Sequence, residues 1–177
     1  MRPLTLTEAR VIREARRATL ATIDPAGRPR LVPICFVLLG DESGDAAAPV
    51  LYTPIDDKPK SVADPHRLAR VRDIAARPQV SILVDRWDED WSRLAWVRLH
   101  GTAVLLESGD ATVAAERTTA LAALRTRYPQ YGAQDLESRP LIRVRIGAVT
   151  SWGRLDDETA TPDGAADGRP DGVARDA

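Results

Sequence analysis

The sequence predicts a mainly β fold with flanking helices, a small antiparallel barrel of six strands. Three observations lead there. Short β-branched and apolar runs recur along the whole chain. Most are joined by connections too short to hold a crossover helix, which favours hairpins over parallel pairing. Six strands so connected, with few helical patterns between them, most readily close on themselves and pack helices outside.

The elements follow in order. Thr5 and Glu8 match a capping box, so a helix is expected over about 6–16, with Ala9, Ile12 and Ala15 on one face. The runs ATLATI (18–23) and RLVPICFVLL (30–39) read as strands joined by DPAGRP, a turn signal with Pro and Gly at suitable places. Pro33 cannot donate to a ladder, which points to an edge strand or a bulge. A loop rich in Gly, Asp and Ala leads to a third strand, VLYTPI (50–55).

Asp64 and Pro65 then read as N-cap and first residue of a helix ending before Pro78. QVSILVDRW (79–87) is a fourth strand and LAWVRLHGTAVLLE (94–107) a long fifth. Alternation in the fifth puts Trp96, Arg98 and His100 on one face and Val97 and Leu99 on the other. Residues 110–128 read as a surface helix capped by Ser108 or Asp110. PLIRVRIGAV (140–149) is the sixth strand. Residues 1–153 are thus expected to form one domain, and residues 154–177, with almost nothing apolar to bury, are expected to be a disordered acidic tail.

Composition narrows the function. The 177 residues carry a formal net charge of −1, which argues against a general nucleic-acid or membrane-surface binder. Cys35 is the only cysteine, so no intrachain disulfide or multi-cysteine zinc site is available. No apolar run reaches the roughly 20 residues a bilayer span needs, and the opening residues lack an apolar leader core. A cytoplasmic protein with no membrane partner is expected.

Against that neutral background, Lys58, Lys60, Arg67, Arg70 and Arg72 crowd the connection after the third strand. Arg67 and Arg70 are three apart and would share one helix face. Such convergent donors suit a phosphate, although Asp56, Asp57, Asp64 and Asp73 offset the charge and a solvated surface explains them as well. Four tryptophans, Trp87, Trp91, Trp96 and Trp152, stand against a single phenylalanine. Trp96 beside Arg98 offers a flat surface and a cation to a planar ligand; the other rings suit a core or a subunit interface. His100 on the same face is more readily structural than catalytic, and Cys35 reads as a buried, inert thiol. The acidic run 88–90 reads as solvated.

The order of these motifs resembles the pyridoxamine-phosphate-oxidase-like split-barrel superfamily of flavin and deazaflavin enzymes. The matching stretches are ATLATIDPAGRPRLVPICF (18–36), VLYTPIDDKPK (50–60), RVRDIAARPQVSILVD (70–85) and WVRLHGTAVLLE (96–107). The tract DRWDEDWSRLAWVRLHG (85–101) is most similar to an actinobacterial branch described as users of the deazaflavin coenzyme F420.

The resemblance implies a six-stranded antiparallel split β-barrel forming a homodimer, with cofactor sites at the subunit interface and a small-molecule substrate. It implies that Pro33 lies along the cofactor ring, and that Tyr52, Thr53, Pro54, Lys58, Lys60, Arg70 and Arg67 surround its phosphate. Trp96, five residues before Gly101, would contact the ring, and Arg98 with it. Flavin-using relatives often carry glutamine at the Trp96 position, so the departure favours F420 over the alternative, FMN. The implied function is an F420-dependent oxidoreductase moving a hydride to a small unsaturated or quinone-like substrate. The alternatives are an FMN oxidase or reductase, or a non-catalytic cofactor- or tetrapyrrole-binding protein. No catalytic acid is identified; Arg98 is the candidate for stabilising negative charge on a substrate oxygen.

Overall fold

A computed structural model describes residue 2 and residues 4–40, 49–56 and 64–155. Lys58, Lys60 and the expected tail beyond Leu155 lie outside the described residues.

The first helix, α1 (Leu6–Glu14), begins at the capping box, with the Thr5 hydroxyl accepting from the Glu8 amide and the Glu8 carboxylate accepting from the Thr5 amide. It ends two residues earlier than expected, at an extended Ala15. Strands β1 (Ala18–Ile23) and β2 (Pro29–Ile34) form the expected hairpin, turned by Gly27 at φ 81°.

The single strand expected over 30–39 is in fact two. It breaks at Cys35–Phe36, and β3 (Val37–Leu39) pairs with β4 (Val50–Pro54) instead of with β1. That break raises the strand count from six to seven. The order across the sheet is β2-β1-β5-β6-β7-β4-β3, with β5 (Gln79–Arg86), β6 (Ala95–Leu106) and β7 (Leu141–Gly153), and every pair antiparallel. The two edge strands, β2 and β3, are therefore consecutive in the chain and only two residues apart. The sheet must curl until its ends nearly meet, closing a barrel that stays split between β2 and β3. Pro33 lies on the edge strand, as a residue without an amide proton should.

The expected helix after Asp64 is also two pieces. Asp64 caps a 3₁₀ turn, Pro65–Arg67, by accepting from the His66 amide. Leu68 is then extended, and α2 (Ala69–Ala76) starts afresh. Leu68 leaves helical geometry and packs against the apolar core, so Arg67 and Arg70 do not share a helix face. Helix α3 (Ala114–Arg127) likewise follows a 3₁₀ turn, capped by Asp110.

The core has two parts. Inside the curl, Leu20, Ile82, Val97, Leu99 and Phe36 meet Ile12 of α1 and Val71 and Ile74 of α2. Under α3, Val37, Leu106 and Leu141 meet Leu121, Leu124, Tyr128 and Tyr131. Alternation on β6 is as expected: Val97 and Leu99 are buried, Arg98 and His100 exposed. Strand β7 runs four residues further than expected, far enough to set Trp152 directly opposite Trp96. The other tryptophans do not fill the core. Trp87 and Trp91 are 71% and 73% exposed, just past the end of β5.

Candidate cofactor site

With α1 and α2 against the inner face, the outward side chains of β2, β1, β5 and β6 form an open surface. Registers fix which residues are neighbours on it. Pro33, Thr19, Leu83, Arg98 and Thr150 make one row across five strands. Asp85, Trp96 and Trp152 make the adjoining row on one side. Leu31, Ala21, Ser81, His100 and Ala148 make the row on the other. Across these three rows lies a groove of about 350 Å³, walled by Trp96, Arg98, Leu31, Leu83 and the Asp85 side chain, with Thr19, Ala21 and Ser81 beneath. The Arg98 guanidinium carbon stands 5.5 Å from the Trp96 ring centre, within cation–π range. Leu31 is 65% exposed beside it. A flat apolar ring with a polar edge suits this groove.

Three of the expected site residues, Pro33, Trp96 and Arg98, are thus on one face. Of the expected phosphate residues, Tyr52, Thr53 and Pro54 lie elsewhere. Tyr52 pairs with Arg143, which pairs with Val104, eight residues along β6 from Trp96. At roughly 3.3 Å per residue that is about 26 Å of strand.

At this second region Thr53 and Pro54 are buried at the end of β4. Tyr52 is 6% exposed and donates its hydroxyl to Glu116 of α3 at 2.7 Å, while Arg143 binds the same carboxylate at 3.0 Å. Burial, and then the Glu116 acceptor, push the Tyr52 phenol well above its ordinary pKa. Tyr52 is therefore a neutral donor engaged with α3. Sequence reading missed Glu116, whose only signal is an acid in the first turn of a helix it could not dock.

Arg70 is half-buried at the start of α2, and burial lowers its pKa while Asp56 and Tyr131 oppose that shift. Among the described residues no hydrogen bond or ion pair to Arg70 is formed. A guanidinium taken partly out of water is a ready ligand for an anionic oxygen, so the donor chemistry fits a phosphate. Arg67 is exposed on the 3₁₀ turn, apart from Arg70 by the break at Leu68. Cys35 is half-buried rather than buried, and lies beside Tyr131, whose phenol is pushed up by burial and then by this thiol. Among the described residues no group of acids, histidines and cysteine could hold a metal ion, and no helix is long and apolar enough to cross a membrane.

The fold and the open, groove-bearing sheet define a split barrel of the flavin-binding type. The sequence matches the pyridoxamine 5'-phosphate oxidase family over residues 6–153, and the chain belongs to that family. No curated protein matches it by sequence. Among solved structures it is similar to a conserved hypothetical protein of Mycobacterium tuberculosis, at 18% identity and a TM-score of 0.62 over 90% of this chain and 89% of that one. It is similar to the heme storage protein HutZ of Vibrio cholerae, at 18% identity and a TM-score of 0.58 over 86% and 95% of the two chains. An F420 reductase aligns at 20% identity and a TM-score of 0.53 over 80% of this chain and 94% of that one. At such identities the likeness is one of fold.

Proposed function

We propose that this protein is an F420-dependent oxidoreductase that works as a homodimer with its cofactor sites between subunits. The observation that carries the reading is the separation of the two candidate regions. The stacking groove at Trp96 and Arg98 lies about 26 Å along β6 from the Tyr52 end. Each region is half of a site, and a second copy set against the open sheet supplies the other half. The exposed Leu31, Leu83 and Trp152 on that sheet are the kind of apolar surface that subunit association removes from water.

In this reading the deazaflavin supplies a hydride when bound. The chain's own residues hold and orient it. The Trp96 face and the apolar side chains of Leu31 and Leu83 fix the plane of the ring, with Pro33 at the far edge of the same row. Arg98, steadied over Trp96, presents a cation toward oxygen atoms at the ring edge or on a substrate. Arg70, in the first turn of α2 and close to Asp56 just after β4, neutralises the phosphate, with Lys58, Lys60 and Arg67 as further cations on the same connection. The partner subunit excludes water from the reacting face. Tryptophan at position 96, where flavin-using members of the family often carry glutamine, supports the deazaflavin over FMN.

Titration of the purified protein with F420, followed by quenching of cofactor fluorescence, tests this. Saturable micromolar binding by a dimer is expected, with FMN binding weaker in the same assay. Absence of F420 binding overturns the cofactor, preference for FMN moves the protein to the flavin branch, and a monomer that binds tightly removes the shared site. Binding without turnover of enones, quinones or nitro compounds marks a carrier.

A further inference from the structure

Beside the stacking groove, sharing Ala21 and Ser81 with it, lies a second hollow of about 460 Å³. Its floor is made of residues with little or no side chain: Ala21, Gly101, Gly147 and Ala148. The register is irregular here, since β6 and β7 slip past one another between His100 and Gly101. That irregularity is what opens the floor. A Cβ at Gly101 would lie 2.4 Å from the Arg145 carbonyl oxygen, so nothing larger than glycine fits and the backbones stay close.

The polar groups around the floor are Ser81, His100, Gln79 and Thr102, and among the described residues no carboxylate lines the hollow. His100 is exposed, and its Nδ1 lies 2.8 Å from the Ser81 hydroxyl. With Nδ1 so engaged, Nε2 is the ring nitrogen left for a ligand. A serine proton on Nδ1 makes Nε2 the N–H. The nearest cations on the same face, Arg98 two residues along and Arg145 opposite Thr102, favour an electron-rich atom there.

We propose that this hollow binds a small flat ligand through an sp² oxygen, carbonyl or carboxylate, with His100 Nε2 as donor and Ser81 as the residue that fixes the ring. It rests on the proposed function only for what lies next door: if the ring occupies the groove, the hollow is where a substrate would sit edge-on to it.

The test uses two probes of one shape, benzamide for the neutral carbonyl and benzoate for the carboxylate, titrated into the cofactor-free protein by ligand-observed NMR. At least one is expected to bind saturably, and the preferred one names the oxygen. Loss of one hydrogen bond in His100→Ala should weaken that probe about tenfold. His100→Gln, which keeps a donor at the ε position, should restore most of the affinity, and His100→Asn should not. Gly147→Val should block the hollow, since a Cβ there meets only the His100 carbonyl oxygen at an ordinary 3.7 Å and the strand tolerates it. Binding of neither probe, or an affinity unchanged by His100→Ala or by Gly147→Val, overturns the proposal. F420 titration of His100→Ala separates the two readings: unchanged F420 binding with lost probe binding supports both, whereas a wild-type protein that ignores F420 but binds the probe loses only the proposed function.

Discussion

The Tyr128 hydroxyl accepts the Phe36 amide at 3.1 Å and lies 3.0 Å from the carbonyl oxygen of the same residue. Phe36 is where the chain crosses from one edge of the sheet to the other, so its backbone has no ladder partner on either side. A side chain from the end of α3 supplies what a strand would otherwise supply. The same hydroxyl is 3.1 Å from the Arg16 carbonyl oxygen, and Arg127 donates to it at 3.1 Å. One phenol therefore ties α3, the start of β1 and the barrel's seam together.

Tyr128→Phe should leave the Phe36 N–H buried and unpaired, a loss of about 1–3 kcal/mol. Urea denaturation should show a lower midpoint at unchanged slope. A midpoint equal to wild type would mean the seam holds without the phenol.

Glu8 is 1% exposed and is bound by Arg2, by Thr5 and, at 2.7 Å, by Ser151 of β7. Burial would raise its pKa, but the hydrogen bonds from Arg2, Ser151 and Thr5 outweigh that and bring the carboxyl down to about 2. A carboxyl lower in the folded than in the unfolded state contributes stability that is complete above its unfolded value of 4.5. That contribution is lost as pH falls toward 2. Glu8→Ala should cost about 3 kcal/mol at neutral pH by stranding its partners, and the difference from wild type should shrink steadily between pH 5 and pH 2. A difference that stays constant over that window would contradict the ionised, bonded Glu8.

Much of this fold is legible in local sequence. The capping box at Thr5 and Glu8, the turn at Gly27 and the alternation through Trp96, Arg98 and His100 are short-range signals that tertiary contacts reinforce. The breaks at Phe36 and Leu68 are not legible, because each depends on a distant partner: Tyr128 is 92 residues from Phe36, and Leu68 turns in to meet the core. The site divides the same way. That Trp96 and Arg98 share a strand face is legible from spacing alone, whereas Tyr52 reads as an available donor until α3 brings Glu116 to it. The Ser81–His100 bond requires knowing the β5–β6 register, which no single strand reveals.

Gly101 is a packing requirement. A Cβ there would approach the Arg145 carbonyl oxygen to 2.4 Å and Val144 Cγ1 to 2.8 Å, and neither backbone can retreat without breaking the β6–β7 ladder. Gly101→Ala should therefore destabilise by about 2 kcal/mol or more, read as a drop in Tm of several degrees. Gly147→Val, on the neighbouring strand where a Cβ meets only the His100 carbonyl oxygen at an ordinary 3.7 Å, should shift Tm little. Equal effects at the two glycines would refute the close approach.

Arg70 and Trp96 supply the sharpest test of a site shared between subunits. Each single variant, Arg70→Ala or Trp96→Ala, should weaken F420 binding by about tenfold or more through loss of a charged contact or a stacking face. In a shared site Arg70 comes from one subunit and Trp96 from its partner. A dimer of one Arg70→Ala chain and one Trp96→Ala chain then has one site carrying both lesions and one carrying neither. Co-expressing the two variants at equal levels yields such mixed dimers as about half of the population. Roughly a quarter of all sites should then bind F420 with wild-type affinity, seen as a tight phase in the fluorescence titration that neither variant shows alone. If both residues serve the same site from the same chain, every site in the mixture carries a lesion and no tight phase appears.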